Sequence, residues 1–177
     1  AVELSGSAPG GGTRWGLFRI QNVAGAATVT QTSTAGIGAF GSVRTPISRR
    51  AVVGVDPANP NRLIAADVAD EAMKFSVDGG TTWFPLNSLT QAVTGSGKYL
   101  FTLAGSLQSD LSLATVIGWD PYDSCHILVG TTQNGVIRTT NGGNTWTQIP
   151  GSSRMTNVSS FYFPPTGTVW VSTNGRS

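Results

Sequence analysis

The sequence contains few of the groups from which redox centres and metal sites are built. Cys125 is the only cysteine, which excludes a disulfide within the chain. His126 is the only histidine, so a histidine-based metal cluster cannot be assembled from this chain. We therefore expect no metal site and no cofactor.

Charged residues and long apolar runs are also scarce. Charged residues make up only 11% of the chain, the net charge is +2, and no run of basic residues is longer than Arg49-Arg50. This charge pattern argues against a nucleic-acid partner. No apolar stretch approaches the roughly 18 residues that a membrane-spanning helix requires. We expect neither nucleic-acid binding nor a membrane span.

Glycine and apolar residues are plentiful. The chain has 23 glycines among 177 residues and is 39% hydrophobic, which is enough for one domain with a sizeable core. This composition predicts an all-β protein with many tight turns. Ala1 stands where a start methionine is expected, which indicates a removed leader or a piece of a longer chain. The low charge and the abundance of Ser, Thr and Gly resemble the composition of exported proteins, so we expect an extracellular or cell-surface location.

One short stretch occurs twice. Residues 76–83 and 139–146 both fit S/T-x-D/N-x-G-x-T-W, and each lies between two β-prone apolar runs, which predicts a β-hairpin. The Asp or Asn side chain can accept backbone hydrogen bonds in the turn, and the glycine can supply a positive φ. We predict a structural role for the matching residues, which are Ser76, Asp78, Gly80, Thr82, Trp83, Thr139, Asn141, Gly143, Thr145 and Trp146.

These two stretches resemble the Asp-box, also called the BNR repeat. That repeat marks β-propellers of the sialidase, sortilin and xyloglucanase type. The resemblance is complete for residues 76–83, and complete for residues 139–146 if Asn141 takes the place of the Asp. It implies blades of four antiparallel strands, with the ligand on the face opposite to the Asp-boxes.

The surrounding sequence repeats as well. Residues 51–57 align with residues 115–121, at nearly the spacing that separates the two turns. Each repeat predicts four strands, A to D, as in a propeller blade. The predicted strands lie near residues 51–55, 62–68, 72–76 and 82–86 in one repeat, and near 115–119, 127–131, 135–139 and 145–149 in the other.

The two ends of the chain resemble parts of this repeat. Residues 16–22 and 28–31 resemble strands C and D, whereas residues 159–165 and 168–173 resemble strands A and B. We predict about three blades' worth of strands in an incomplete ring. The predicted boundaries are a half blade over 1–32, blades over 33–86 and 87–149, and a half blade over 150–177.

The expected partner is therefore the remainder of the propeller. It can come from the same parent chain, which we favour, or from another copy that associates head to tail. The longest connection, residues 87–114, is predicted to contain an extra strand near residues 98–103.

Alternating strands place the A–B and C–D turns on one face of a blade and the other loops on the opposite face. The opposite face holds the acids that are suitable for a pair of glycosidase carboxylates. These catalytic candidates are Asp67, Asp70, Glu71 and Asp110. The ligand-binding candidates are Arg49, Arg50, Tyr99 and Arg154. The alternative is that all four acids are solvated loop charges.

The segment Phe18–Gln21 invites a second interpretation. It resembles the Phe/Tyr-Arg-Ile-Pro motif of sialidases, in which the arginine grips the substrate carboxylate, but Gln21 replaces the proline. Arg19 also aligns with Arg138 in the repeat, and we favour the interpretation as a strand.

Two function classes remain open. The first is an extracellular recognition or scaffold module that associates with glycans. The second is a segment of a secreted glycoside hydrolase, xyloglucanase-like or sialidase-like, with part of its active site outside this chain.

Overall fold

The computed structural model describes residues 6–7, 13–14, 17–32, 35–37, 52–67, 70–95 and 112–174. These residues form short antiparallel strands and one short α-helix, α1 (Asn87–Thr94), with a 3-10 turn at Ser152–Arg154. The strands are β1 (Gly6–Ser7), β2 (Thr13–Arg14), β3 (Phe18–Gln21), β4 (Thr28–Gln31), β5 (Val53–Val55), β6 (Leu63–Asp67), β7 (Ala72–Ser76), β8 (Phe84–Pro85), β9 (Ala114–Trp119), β10 (Ile127–Thr131), β11 (Val136–Thr139), β12 (Thr147–Gln148), β13 (Val158–Tyr162) and β14 (Trp170–Thr173).

Two four-stranded antiparallel sheets form the centre of the molecule. The first blade has the order β5-β6-β7-β8, and the second blade has the order β9-β10-β11-β12. In addition, β3 pairs with β4 and β13 pairs with β14. The predicted all-β fold, with about three blades' worth of strands, is confirmed.

The strand predictions are less accurate at the outer edge of each blade. The D strands β8 and β12 contain only two residues each, shorter than predicted. In the first blade, the chain still bonds to β7 just past Pro85, where the backbone N of Leu86 donates to Met73 O at 2.8 Å. The helix α1 was not predicted, because it has no side-chain cap at its first turn and is held by packing of Leu89 and Val93 instead. The strand predicted near residues 98–103 lies outside the described residues.

The blades pack face to face around their innermost strands. Strand β5 packs on β9, and β9 packs on β13. A Cβ atom on Gly54 would lie 2.3 Å from Ile117 Cγ2, and one on Gly118 would lie 2.8 Å from Phe161. Glycine at both positions therefore allows the close approach of neighbouring units. Ile127, Val129 and Ile137 fill the core between the two blades, and none of them is exposed.

The two faces of the blades are distinct. On the turn face, the C–D turn of each blade is bonded to its A–B turn, because Gly79 N donates to Asn61 O and Gly142 N donates to Cys125 O, both at 3.0 Å. On the opposite loop face, the backbone N of Met73 donates to Thr90 Oγ1 of α1 at 2.9 Å. This separation of the turns agrees with the alternation of the strands. Among the described residues, no helix is long and apolar enough to cross a membrane.

Candidate functional site

The two repeated turns are closed networks of hydrogen bonds. In the first turn (residues 76–83), Asp78 Oδ1 accepts from the backbone N of Thr81 and of Thr82, at 3.0 and 2.9 Å. Asp78 Oδ2 accepts from the Thr82 hydroxyl at 2.6 Å. The Thr82 hydroxyl, followed by the Thr82 backbone N–H, lowers the pKa of Asp78 to about 2. Asp78 is thus an ionised acceptor within its own turn.

The tryptophan of each turn is fixed by the same contact. Trp83 Nε1 donates to Gly80 O and Trp146 Nε1 donates to Gly143 O, both at 3.0 Å. Both indole rings are buried. The glycine carbonyl satisfies the indole N–H group while the ring covers apolar neighbours, which is the arrangement that a buried tryptophan requires.

A cluster of three charged side chains lies on the loop face of the first blade. Lys74 Nζ is 2.6 Å from Asp70 Oδ2 and 3.7 Å from Asp67 Oδ2, and the backbone N of Asp70 donates to Asp67 Oδ1 at 3.3 Å. The side chain of Asp67 is 0% exposed and that of Lys74 is 7% exposed, whereas that of Asp70 is 55% exposed. We call Asp67, Asp70 and Lys74 the charged network.

The second blade has uncharged residues at the positions of the network. Lys74 pairs across the sheet with Ala65, and the corresponding pair in the second blade is Ile137 with Val129. Thr131 takes the place of Asp67 and makes the corresponding bond, because its Oγ1 accepts from the backbone N of Asn134 at 2.8 Å. A blade therefore closes its B–C turn without any charge, and blade architecture alone does not account for the network.

The chemistry of the network follows from its exposure and charge. The Lys74 ammonium donates a hydrogen bond to Asp70 and attracts its charge, and both effects hold the pKa of that carboxyl below its usual value. A general acid requires the opposite shift. The Asp70 carboxylate is ionised and exposed, so it can accept hydrogen bonds from a ligand, whereas Asp67 is fully buried. The alternative that all the candidate acids are solvated loop charges is wrong for Asp67.

The other candidate residues are distributed more widely. Glu71 lies in the same B–C turn with a φ of 53°, and Arg154 is exposed in the 3-10 turn that follows the second blade. Asp110, Arg49, Arg50 and Tyr99 lie outside the described residues. Lys74 was not among the candidates from the sequence, although a lysine on the core side of a central strand interrupts the apolar pattern and is a usable signal.

The turn face carries a second set of charges. Arg62 NH1 is 2.9 Å from Asp56 Oδ2, and the guanidinium lies over the ring of Trp119, 5.6 Å from its centroid. Arg62 therefore links the A–B turn of the first blade to the second blade. His126 takes the corresponding place in the second blade, 3.6 Å from both Asp120 and Asp123. In the part of the chain that the structure describes, no group of three or more potential ligands could hold a metal ion.

No family model and no curated protein matches the sequence. Among solved structures, the chain is similar to a GH74 xyloglucanase from Xanthomonas campestris, with a TM-score of 0.52 and 17% identity over 89% of this chain and 22% of that chain. The fold is that of a partial β-propeller. A GH74 enzyme from Niastella koreensis gives a TM-score of 0.49 and 19% identity, over 81% of this chain and 20% of that one. The chain thus spans about a fifth of the length of these structures.

Proposed function

We propose that this chain is a segment of an extracellular propeller that recognises a glycan on its loop face. The charged network of the first blade carries this proposal. A buried ion pair rarely stabilises a fold more than apolar residues of the same size, and the second blade uses Thr131 and Ile137 at the corresponding positions. Stability of the fold therefore does not explain why the first blade has charged residues at these positions.

Asp70 supplies the contact that a glycan would use. Its carboxylate is ionised and about half exposed, and an ionised carboxylate accepts hydrogen bonds from hydroxyl groups. Lys74 and Asp67 position this carboxylate from beneath. The similarity in fold to a GH74 xyloglucanase supports a glycan as the ligand class.

A binding measurement tests this proposal. Affinity electrophoresis of the 177-residue chain in gels containing soluble xyloglucan, other β-glucans or no polysaccharide identifies the ligand class. Asp70→Asn should weaken binding at least about tenfold, because hydrogen bonds to charged groups are worth about 1.5–3 kcal/mol and about 1.4 kcal/mol corresponds to a factor of ten. Asp123→Asn, at an exposed carboxylate on the turn face, is the matched control. Each variant's mobility is compared with its own mobility in the gel without polysaccharide, and the retardation of Asp123→Asn by polysaccharide should equal that of the unsubstituted chain. Equal binding by Asp70→Asn and the unsubstituted chain would exclude Asp70 from the site.

The second candidate function is a segment of a glycoside hydrolase. Its one supporting observation is that the Lys74 ammonium lies 3.7 Å from the Asp67 carboxylate and 2.6 Å from the Asp70 carboxylate, so that two acids meet at one place, as a glycosidase requires. The burial of Asp67 and the lowered pKa of Asp70 argue against it, since a general acid requires a raised pKa. Release of reducing ends from a polysaccharide, abolished by Asp67→Asn or Asp70→Asn, would establish it. Recognition alone predicts no release.

We also propose that the two repeated turns are Asp-boxes, and that the strands group into a half blade over 1–32, blades over 33–86 and 87–149 and a half blade over 150–177. Other parts of a longer parent chain would then complete the ring. The intact mass of the native polypeptide tests this, since a value well above 18.3 kDa supports a longer parent. A native mass near that value, with a ring-sized particle in solution, would instead indicate association of copies.

A further inference from the structure

Asn141 and Gly142 form a chemically labile pair at the tip of the second turn (residues 139–146). In an Asn-Gly sequence, the backbone nitrogen of the glycine can attack the side-chain carbonyl carbon of the asparagine, because no side chain on the glycine shields it. Gly142 has a φ of 70°, a conformation that favours glycine at this position. Asn141 is exposed on the turn face, and Gly142 is half-buried beside it.

The reaction consumes only water. A bond forms between Gly142 N and Asn141 Cγ, the bond between Cγ and Nδ2 breaks, and ammonia leaves with the proton from Gly142 N. The product is a five-membered succinimide. Water then opens this ring at Cγ to give aspartate, or at the backbone carbonyl carbon to give isoaspartate.

In the folded turn, hydrogen bonds hold both the backbone N of Gly142 and the side-chain amide of Asn141, and these bonds oppose the reaction. The N–H group of Gly142 donates to Cys125 O in the A–B turn at 3.0 Å, so the nucleophilic nitrogen is occupied. Asn141 Oδ1 accepts from the Thr139 hydroxyl at 2.8 Å and from the Thr145 backbone N at 3.0 Å. Asn141 Nδ2, the leaving nitrogen, donates to the Thr145 hydroxyl at 2.9 Å.

The first turn shows that the aspartate product fits this geometry. Asp78 holds the position of Asn141, and the Thr82 hydroxyl donates to its Oδ2 at 2.6 Å. In the second turn, the Thr145 hydroxyl accepts from Asn141 and only needs to rotate its proton to donate to an aspartate. Isoaspartate adds a methylene group to the backbone and has no counterpart in the first turn.

We propose that Asn141 is a latent deamidation site. The hydrogen bonds of the folded second turn prevent the reaction, and Asn141 reacts when the Gly142 N–H group separates from Cys125 O. Its aspartate product re-forms the turn in the manner of the first turn. The rate of deamidation at Asn141 therefore reports how often the second blade opens locally. Such local openings have free energies below that of global unfolding.

Peptide mapping by mass spectrometry, with separation of the aspartate and isoaspartate products, tests the proposal. The 177-residue chain, the same chain in denaturing urea and a synthetic peptide covering residues 136–148 are incubated in one mildly alkaline buffer. Asn141 should react at least about tenfold more slowly in the folded chain, which corresponds to an opening free energy above about 1.4 kcal/mol. Similar rates in the folded chain and the peptide would overturn the proposal.

Matched threonine variants test whether the second turn itself provides the protection. Thr145→Val removes the hydroxyl that holds Nδ2 and should raise the rate at Asn141 several-fold, whereas Thr82→Val in the first turn should leave it unchanged. Equal acceleration by both variants, or by neither, would contradict local closure. Asn141→Asp should keep the circular dichroism spectrum of the unsubstituted chain, and loss of that spectrum would contradict the fit of the product.

Discussion

The first and second blades share their strand order, their turn contacts and their packing glycines, and two of their differences are informative. On the loop face, the first blade has the charged network where the second blade has Thr131 and Ile137. On the turn face, the first turn has a carboxylate at Asp78 where the second has an amide at Asn141. Features that both blades have are those that the blade fold requires. Features that only one blade has are not required for the fold.

The turn tryptophans belong to the shared set, and their loss should have the largest effect. Trp83→Ala and Trp146→Ala should each destabilise the chain by about 3–5 kcal/mol, because each removes a large buried ring. Urea denaturation measures both values. A small effect in only one blade would show that the two turns do not have the same structural role.

Lys74 belongs to the first blade alone, and its loss should be similarly severe. Lys74→Met removes the ammonium that lies 3.7 Å from the buried Asp67 carboxylate and should destabilise the chain by about 3–5 kcal/mol. Ile137→Met at the corresponding position should cost less than about 1.5 kcal/mol, because it is a volume-conserving apolar exchange. Nearly equal unfolding midpoints for these two variants would argue against a buried charge pair.

The packing glycines should tolerate substitution less well than a surface glycine. Gly118→Ala places a Cβ 2.8 Å from Phe161 and should destabilise the chain by about 1–3 kcal/mol through overpacking. Gly25→Ala is the control, because nothing lies within 4 Å of its added Cβ. Thermal unfolding of the two variants makes the comparison, and a neutral Gly118→Ala would indicate a looser interface between the units.

The smallest expected effect is the acid sensitivity of the first turn. The pKa of Asp78 is lowered to about 2, so its stabilising contribution is present above the unfolded pKa of about 3.9 and is lost as the pH falls towards 2. Asp78→Asn should flatten the pH dependence of unfolding in this window, and Asn141→Asp should steepen it. An unchanged pH profile in Asp78→Asn would contradict the ionised turn.

Much of the fold could be predicted from the sequence, because each repeat carries local signals. The Asx residue, glycine and tryptophan of each turn define a hairpin, and the alternation of apolar residues defines the strands beside it. The helix α1 could not be predicted, since only tertiary packing of Leu89 and Val93 holds it in place. The loop-face candidates Asp67 and Asp70 could be named, but their connection through Lys74 depends on pairing between strands.

We infer that the charged network has a function beyond holding the first blade together. The double substitution Asp67→Thr with Lys74→Ile gives the first blade the second blade's residues at the two buried positions of the network and leaves Asp70 in place. Unfolding and glycan binding are measured on the same preparation. We predict unfolding stability equal to or above that of the unsubstituted chain, together with loss of binding in the polysaccharide gel. A large loss of stability, or full retention of binding, would contradict the claim.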